Sequence, residues 1–183
     1  MIGWVVAIGG PPGSGKSTAG RLVAGELGLE YRSAGEEFRA EARRRGMDLA
    51  AFGRYAEAHP EVDRDLDRRM QELARPGRVL DGRIQGVLCR RNGIPVRSVV
   101  VTASEDERAR RLAARDGQSV DTARTLLRER EASERVRYAQ FYGIDVDRET
   151  PDLTVDSTRS PPDEVARTIV AFVRPPTWAG PGR

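Results

Sequence analysis

Residues 10–17 read GPPGSGKS, and no other stretch limits the possible folds of this chain so tightly. The pattern fits G-x-x-x-x-G-K-[ST], a loop that serves its purpose only between a buried strand and the start of a helix. Both flanks are present. Trp4 to Ile8 is an apolar, β-branched run that predicts a central strand, and Ser17 to Leu27 carries the period of an amphipathic helix. Within the loop, Gly10, Pro11, Pro12, Gly13, Ser14 and Gly15 would wrap a triphosphate with backbone N–H groups. Lys16 would neutralise the β and γ phosphates, Ser17 would offer its hydroxyl to Mg²⁺, and Thr18 would close the ATP-binding run.

The chain has 31 basic residues, of which Lys16 is the one lysine and the other 30 are arginine. A coding bias toward arginine accounts for the excess and leaves visible the position where arginine does not serve. A compact ammonium fits between phosphates, and a planar guanidinium does not. The 28 acidic residues are interspersed among the basic ones, so a net charge of +3 describes a mixed surface rather than the basic face of a polynucleotide binder. No apolar stretch approaches the ~18 residues of a membrane span. A single cysteine, Cys89, and an N-terminus without a basic region or cleavage site lead to the expectation of a cytoplasmic enzyme with no membrane contact.

Further along, Leu29 to Arg32 predicts a short strand, and Ser33 caps a helix to about Arg45 that Gly46 ends. Helices are expected near 48–58 and 61–74, and strands at Arg78 to Leu80 and Pro95 to Thr102. Ser104 caps a helix toward Arg115, one long charged helix covers about Val120 to Tyr142, and Leu153 to Val155 and Pro162 to Val173 supply a last strand and helix. Strands alternating with helices give an α/β fold, a three-layer P-loop NTPase sandwich around a parallel sheet of about five strands. One domain over 1–174 is expected, followed by a disordered tail at 175–183. Such a P-loop alone does not separate kinases from GTPases, but a base-reading N-K-x-D cannot exist where the single lysine is already used, and large ATPases need far more chain.

Five stretches add specificity: GGPPGSGKST at 9–18, LEYRSAGEEFR at 29–39, YAEAHPEVDRDLDRRMQELA at 55–74, VLDGR at 79–83 and REREASERVRYAQFYGIDV at 128–146. In order and spacing they resemble the cytidylate kinase family, in the short form common in archaea and some bacteria, over roughly residues 3 to 172. The resemblance implies a helical monophosphate-binding region at about 33–75, a helical lid at about 117–145, and transfer of the γ-phosphoryl group of ATP·Mg²⁺ to CMP, with dCMP a second acceptor. It places Ser33 and Arg39 at the monophosphate, Arg39 holding its α-phosphate, and sets Arg83 on nucleotide phosphate. A bidentate guanidinium suits a phosphate that must be both held and relieved of its repulsion toward the incoming group.

Asp81, at the end of an apolar strand, could reach the magnesium shell through water, as Walker-B acids do. Ile84 stands where the other, bacterial form of the family has an acidic residue that reads cytosine, and Ile84 and Gln85 fall where the acceptor's base would lie. Helical spacing gathers Arg130, Glu134 and Arg137 within ~60° of one another and gathers Arg124, Arg128 and Arg135 into a second stripe. The resemblance maps Arg130 onto the transferring phosphoryl group, and Glu134 and Arg137 onto the acceptor, with Glu134 replacing an aspartate. No general base is required, because a phosphate monoester is already an oxyanion nucleophile. His59 and Cys89 therefore stay off the catalytic list. The partners expected are ATP and CMP, for a monomer whose cleft is open without nucleotides and closes over them. Left open at this stage are a P-loop kinase acting on a modified cytidylate, another nucleoside monophosphate or a small alcohol, and a non-catalytic ATP- or RNA-binding module.

Overall fold

The computed structural model describes residues 2–174; the tail expected to be disordered from Pro175 onward lies outside the described residues. Five strands, β1 (Val5–Gly9), β2 (Glu30–Ser33), β3 (Arg78–Asp81), β4 (Val96–Thr102) and β5 (Leu153–Asp156), form one sheet in the order β2-β3-β1-β4-β5. Every pairing is parallel. Parallel neighbours cannot be joined by tight turns, so each connection crosses the sheet through helices that cover its faces. β1 lies at the centre and is buried along its whole length, which is why its sequence is a continuous apolar run rather than an alternating one.

The helices are α1 (Lys16–Leu27), α2 (Ala34–Arg44), α3 (Leu49–Ala58), α4 (Pro60–Glu72), α5 (Gln85–Arg91), α6 (Glu105–Asp116), α7 (Val120–Tyr142) and α8 (Pro162–Val173). Short polar side chains start four of them. Ser33, Asp48, Ser104 and Ser119 each accept a first-turn N–H that the helix itself leaves without a partner. α1 and α8 cover one face of the sheet, where Val6, Ile8, Val99 and Val101 meet Val23, Leu27, Ile169 and Val173. On the opposite face Val5 and Leu80 pack with Leu66, Met70 and Cys89 of α4 and α5. The pleat sends Val5 and Val6 to opposite layers, and the result is the three-layer sandwich that the alternation of elements implied.

α5 is the one helix that the sequence reading omits. It has seven residues and contains Gly86, whose added Cβ would lie 2.8 Å from the Cβ of Ser98 on β4. The glycine that lets this helix approach the sheet is the residue that weakens its helical signal. α2 follows the C-terminal end of β2 and packs with α3 and α4, while α6 and α7 form a hairpin sealed by Leu112, Ala113, Ala123 and Leu127. The second half of α7 packs on α3 and α4.

Candidate active site

At the C-terminal end of β1 the chain turns through residues that only glycine fills without a clash. Gly10 has φ 138°, and a Cβ there would sit 2.1 Å from the Val101 carbonyl oxygen. α1 then begins after Gly15, with no side-chain cap and no acidic residue in its first turn. Its first N–H groups and the positive end of its dipole are thus left for an external anion. The loop is braced from behind. Ser157 donates to the Ser14 carbonyl oxygen at 2.7 Å, and Arg108 donates to the Pro12 carbonyl oxygen at 3.3 Å while forming a buried ion pair of 2.6 Å with Glu131 of α7.

Lys16 folds back over this loop and donates to the Pro11 carbonyl oxygen at 3.4 Å. Burial pulls its ammonium below the usual range; Asp81 and Glu134 pull it upward, and Arg130 and Arg83 add to the lowering. A half-buried cation held in this way gains from an arriving phosphate. Beside it, Asp81 at the end of β3 accepts through Oδ2 from Ser17 and Tyr31, each at 2.6 Å, and from Ser33 at 3.1 Å. Its Oδ1 is buried with no hydrogen-bond partner. Ser33 does double duty, since its Oγ also accepts the Glu36 N–H that starts α2.

All the candidate residues except Pro11 and Ser14 line one cavity of about 1280 Å³. That exceeds the ~300–1,000 Å³ typical of a single small-ligand site and leaves room for two nucleotides. Pro11 lines a separate, smaller cleft, and the Ser14 side chain is buried beneath the loop. Across the cavity from the loop, Arg39 has no hydrogen bond or carboxylate partner among the described residues. Burial, then the nearby Arg130 and Arg115, lower its affinity for its proton. Among the described residues Arg83 has only a distant contact, 3.9 Å, with Asp147. Arg130 pairs with Glu134 at 2.8 Å. Burial pushes the Glu134 carboxyl up, but Arg130, Lys16 and Arg83 outweigh burial and hold it below the usual carboxylate range. Acidic and basic residues line the cavity in equal number, and the positive charge left without a close carboxylate among the described residues includes that of Arg39 and Arg83.

Arg137 has a different setting. Its Nη1 reaches both oxygens of Asp63 on α4 at 2.5 and 2.6 Å, its Nε is buried without a partner, and its guanidinium lies 5.0 Å from the Phe38 ring centroid. Burial raises the Asp63 carboxyl above its usual range even against Arg137. The second arginine stripe of α7 faces away from the cavity: Arg128 pairs with Glu105, Arg124 with Glu105 and Asp106, and Arg135 with Asp147. Sequence reasoning missed Asp63 and Asp67. They share the buried stripe of α4 with Leu66 and Met70, and their spacing of −3 and +1 from Leu66 was the available signal. It is masked by the exposed Asp65 between them.

Comparison with known proteins finds relatives of this chain. A family model described as AAA domain matches residues 6–137. A protein of Methanocaldococcus jannaschii named cytidylate kinase is 39% identical over 158 residues, which cover 85% of this chain and 89% of that protein. One of Aeropyrum pernix with the same name is 41% identical over 169 residues, 91% of this chain and 97% of that protein. Among solved structures, a shikimate kinase from Acinetobacter baumannii in complex with shikimate matches with a TM-score of 0.59 at 20% identity, over 93% of this chain and 92% of that one. An uncharacterized protein from Eubacterium ventriosum reaches a TM-score of 0.64 at 18% identity over 93% of this chain and 98% of the other. Likeness at such identities speaks to the fold alone.

Proposed function

The chain belongs to the cytidylate kinase family and transfers the γ-phosphoryl group of ATP to CMP, giving ADP and CDP; within that activity we propose a division of labour among the residues of the cavity. Residues 10–18 hold the triphosphate, with Lys16 on its β and γ groups. Arg39 and Arg83 take the phosphate of CMP, dCMP being a second acceptor. Arg130 follows the group in transit, and Glu134 and Arg137 complete the acceptor side from the lid, α7. An oxygen of the CMP phosphate attacks the γ-phosphorus in line, the bond from that phosphorus to the β-γ bridging oxygen breaks, and ADP leaves with the electron pair. No side chain needs to remove a proton. Positioning and charge neutralisation carry the barrier reduction.

The observation that supports this most is the pair of arginines without close counterions, Arg39 and Arg83, lining the same cavity as an uncapped P-loop helix. Two anionic ligands meet there, which suits a phosphate-bearing acceptor better than an alcohol. Replacing Arg39 by alanine is expected to raise KM for CMP about 10²-fold, the scale of a lost charge-assisted bidentate contact, and to leave KM for ATP within threefold. Steady-state titration of each substrate checks this; an equal rise for both substrates would remove Arg39 from the acceptor's phosphate.

Mg²⁺ arriving with ATP would supply neutralising charge at the β and γ oxygens. Ser17 and Asp81 fit it, because Asp81 keeps one buried oxygen without a partner beside the Ser17 hydroxyl. Two protein groups are few for this ion, in keeping with a shell completed by water and phosphate. Asp81→Asn is expected to raise the half-saturating Mg²⁺ concentration and to lower kcat about 10²-fold. An unchanged Mg²⁺ titration would contradict the assignment.

A further inference from the structure

Beyond Arg83 the cavity runs between α4, α5 and α7, and its wall there carries Leu66, Ile84, Asp67 and Gln85. Asp67 and Gln85 are 6% and 1% exposed, depths at which polar side chains must be satisfied by partners. Their partners form a directed chain. Asn92 donates to the Gln71 Oε1 at 3.0 Å, Gln71 Nε2 donates to the Gln85 Oε1 at 2.9 Å, and Gln85 Nε2 donates to the Asp67 Oδ1 at 2.7 Å. Tyr142 of α7 donates to the other Asp67 oxygen at 2.7 Å.

This chain fixes the polarity of what remains. A carboxylate can only accept, and each Asp67 oxygen keeps room for a second hydrogen bond. The Gln85 amide carries two N–H groups, of which one is given to Asp67. Its orientation cannot reverse without setting Oε1 against the Asp67 carboxylate and its own N–H against that of Gln71. The cavity wall therefore offers an acceptor next to a donor. Cytosine presents the complementary order, the 4-amino donor beside the N3 acceptor, whereas uracil presents an acceptor beside a donor. Ile84, which stands where an acid could have done this work, is 2% exposed and packs with Leu88 and Ile144.

We infer that Asp67 and Gln85 read the base of the acceptor, with Asp67 accepting from the 4-amino group of cytosine and Gln85 donating to N3. This rests on the assignment of CMP as acceptor. Burial, partly countered by Tyr142 and reinforced by Asp63, pushes the Asp67 carboxyl up to about 6, so at pH 7.5 it is the acceptor that the pairing needs. Adenine carries the same donor and acceptor order, so the pair selects against uracil and leaves rejection of purines to the size of the pocket.

The test is a steady-state comparison at pH 7.5 of CMP, UMP and the pyrimidin-2-one ribonucleoside monophosphate that lacks the 4-amino group, for the wild-type enzyme and Asp67→Asn. The wild type is expected to favour CMP over the amino-less analogue by about 10²-fold in kcat/KM, the scale of a hydrogen bond to a buried charged group. In Asp67→Asn the preference collapses to within about threefold, because the value for CMP falls and that for the analogue does not. A purely structural role would lower both acceptors by the same factor, and that result overturns the inference. If the wild type uses CMP and the analogue equally well, the inference falls while phosphorylation of CMP stands. If the wild type is inert toward CMP, both fall. The wild-type comparison needs no variant to fold.

Discussion

Lys16→Ala is expected to lower kcat for phosphoryl transfer to CMP by about 10³-fold or more and to leave the melting temperature unchanged or slightly higher. The loss follows from what the residue faces. The ammonium meets phosphate oxygens whose charge shifts during transfer, and removing one such group from a dry site costs on the order of 10²–10³ or more. The preserved stability follows from what the residue does without substrate. Among the described residues its one hydrogen bond is the 3.4 Å contact to Pro11, and burial works against its charge. A half-buried charge that the fold does little to satisfy belongs to function. Lys16→Arg is expected to be inactive too, because a planar fork does not fit where a point charge sits between phosphates. Activity assays paired with thermal melts check both halves. A fully active Lys16→Arg would mean that general positive charge, not the loop's geometry, does the work.

The second large effect falls on stability. Arg137→Ala is expected to destabilise the protein by about 3–5 kcal/mol at pH 7.5, because it leaves the Asp63 carboxylate buried with no partner. The sign with pH follows from Asp63. Its folded-state affinity for a proton is already raised, and loss of Arg137 raises it further, so the variant's folded form takes up a proton that its unfolded form releases at lower pH. The deficit should shrink as pH falls through that raised value and be fully present above it. Asp63→Asn in the Arg137→Ala background removes the stranded charge and should restore part of the loss. Denaturant unfolding at pH 5 and 7.5 measures all of this. A loss below about 1 kcal/mol at both values would show that the pair is not what fastens α7 to α4.

Much of this was legible because the sequence repeats its signals at several levels. The apolar run of β1, the loop glycines and the helix that follows them all specify one anion site, and Ser33 and Ser104 mark helix starts that the structure keeps. The charged surface hides the rest. Arg39 lies in a sequence with Arg43, Arg44 and Arg45, yet Arg44 and Arg45 turn to Glu41 while Arg39 enters the cavity, a sorting that tertiary packing makes. On α4, Asp63 and Asp67 occupy places that a periodicity search reserves for apolar residues. A rule that sends acids to the surface passes over them. α5 was hidden by the glycine that its close packing requires. In each case the misleading residue is one whose local preference is overruled by the cavity or the sheet it serves.

Acceptor identity is read from rates. The most direct measurement couples ADP formation to a readout for the wild-type chain with ATP·Mg²⁺ and, in turn, CMP, dCMP, UMP, AMP, GMP and no acceptor, with Lys16→Ala as the blank. CMP is expected to give the highest kcat/KM, and the rate without acceptor is expected to lie near the blank. A set in which no monophosphate exceeds the acceptor-free rate, or in which a purine monophosphate leads, would contradict it.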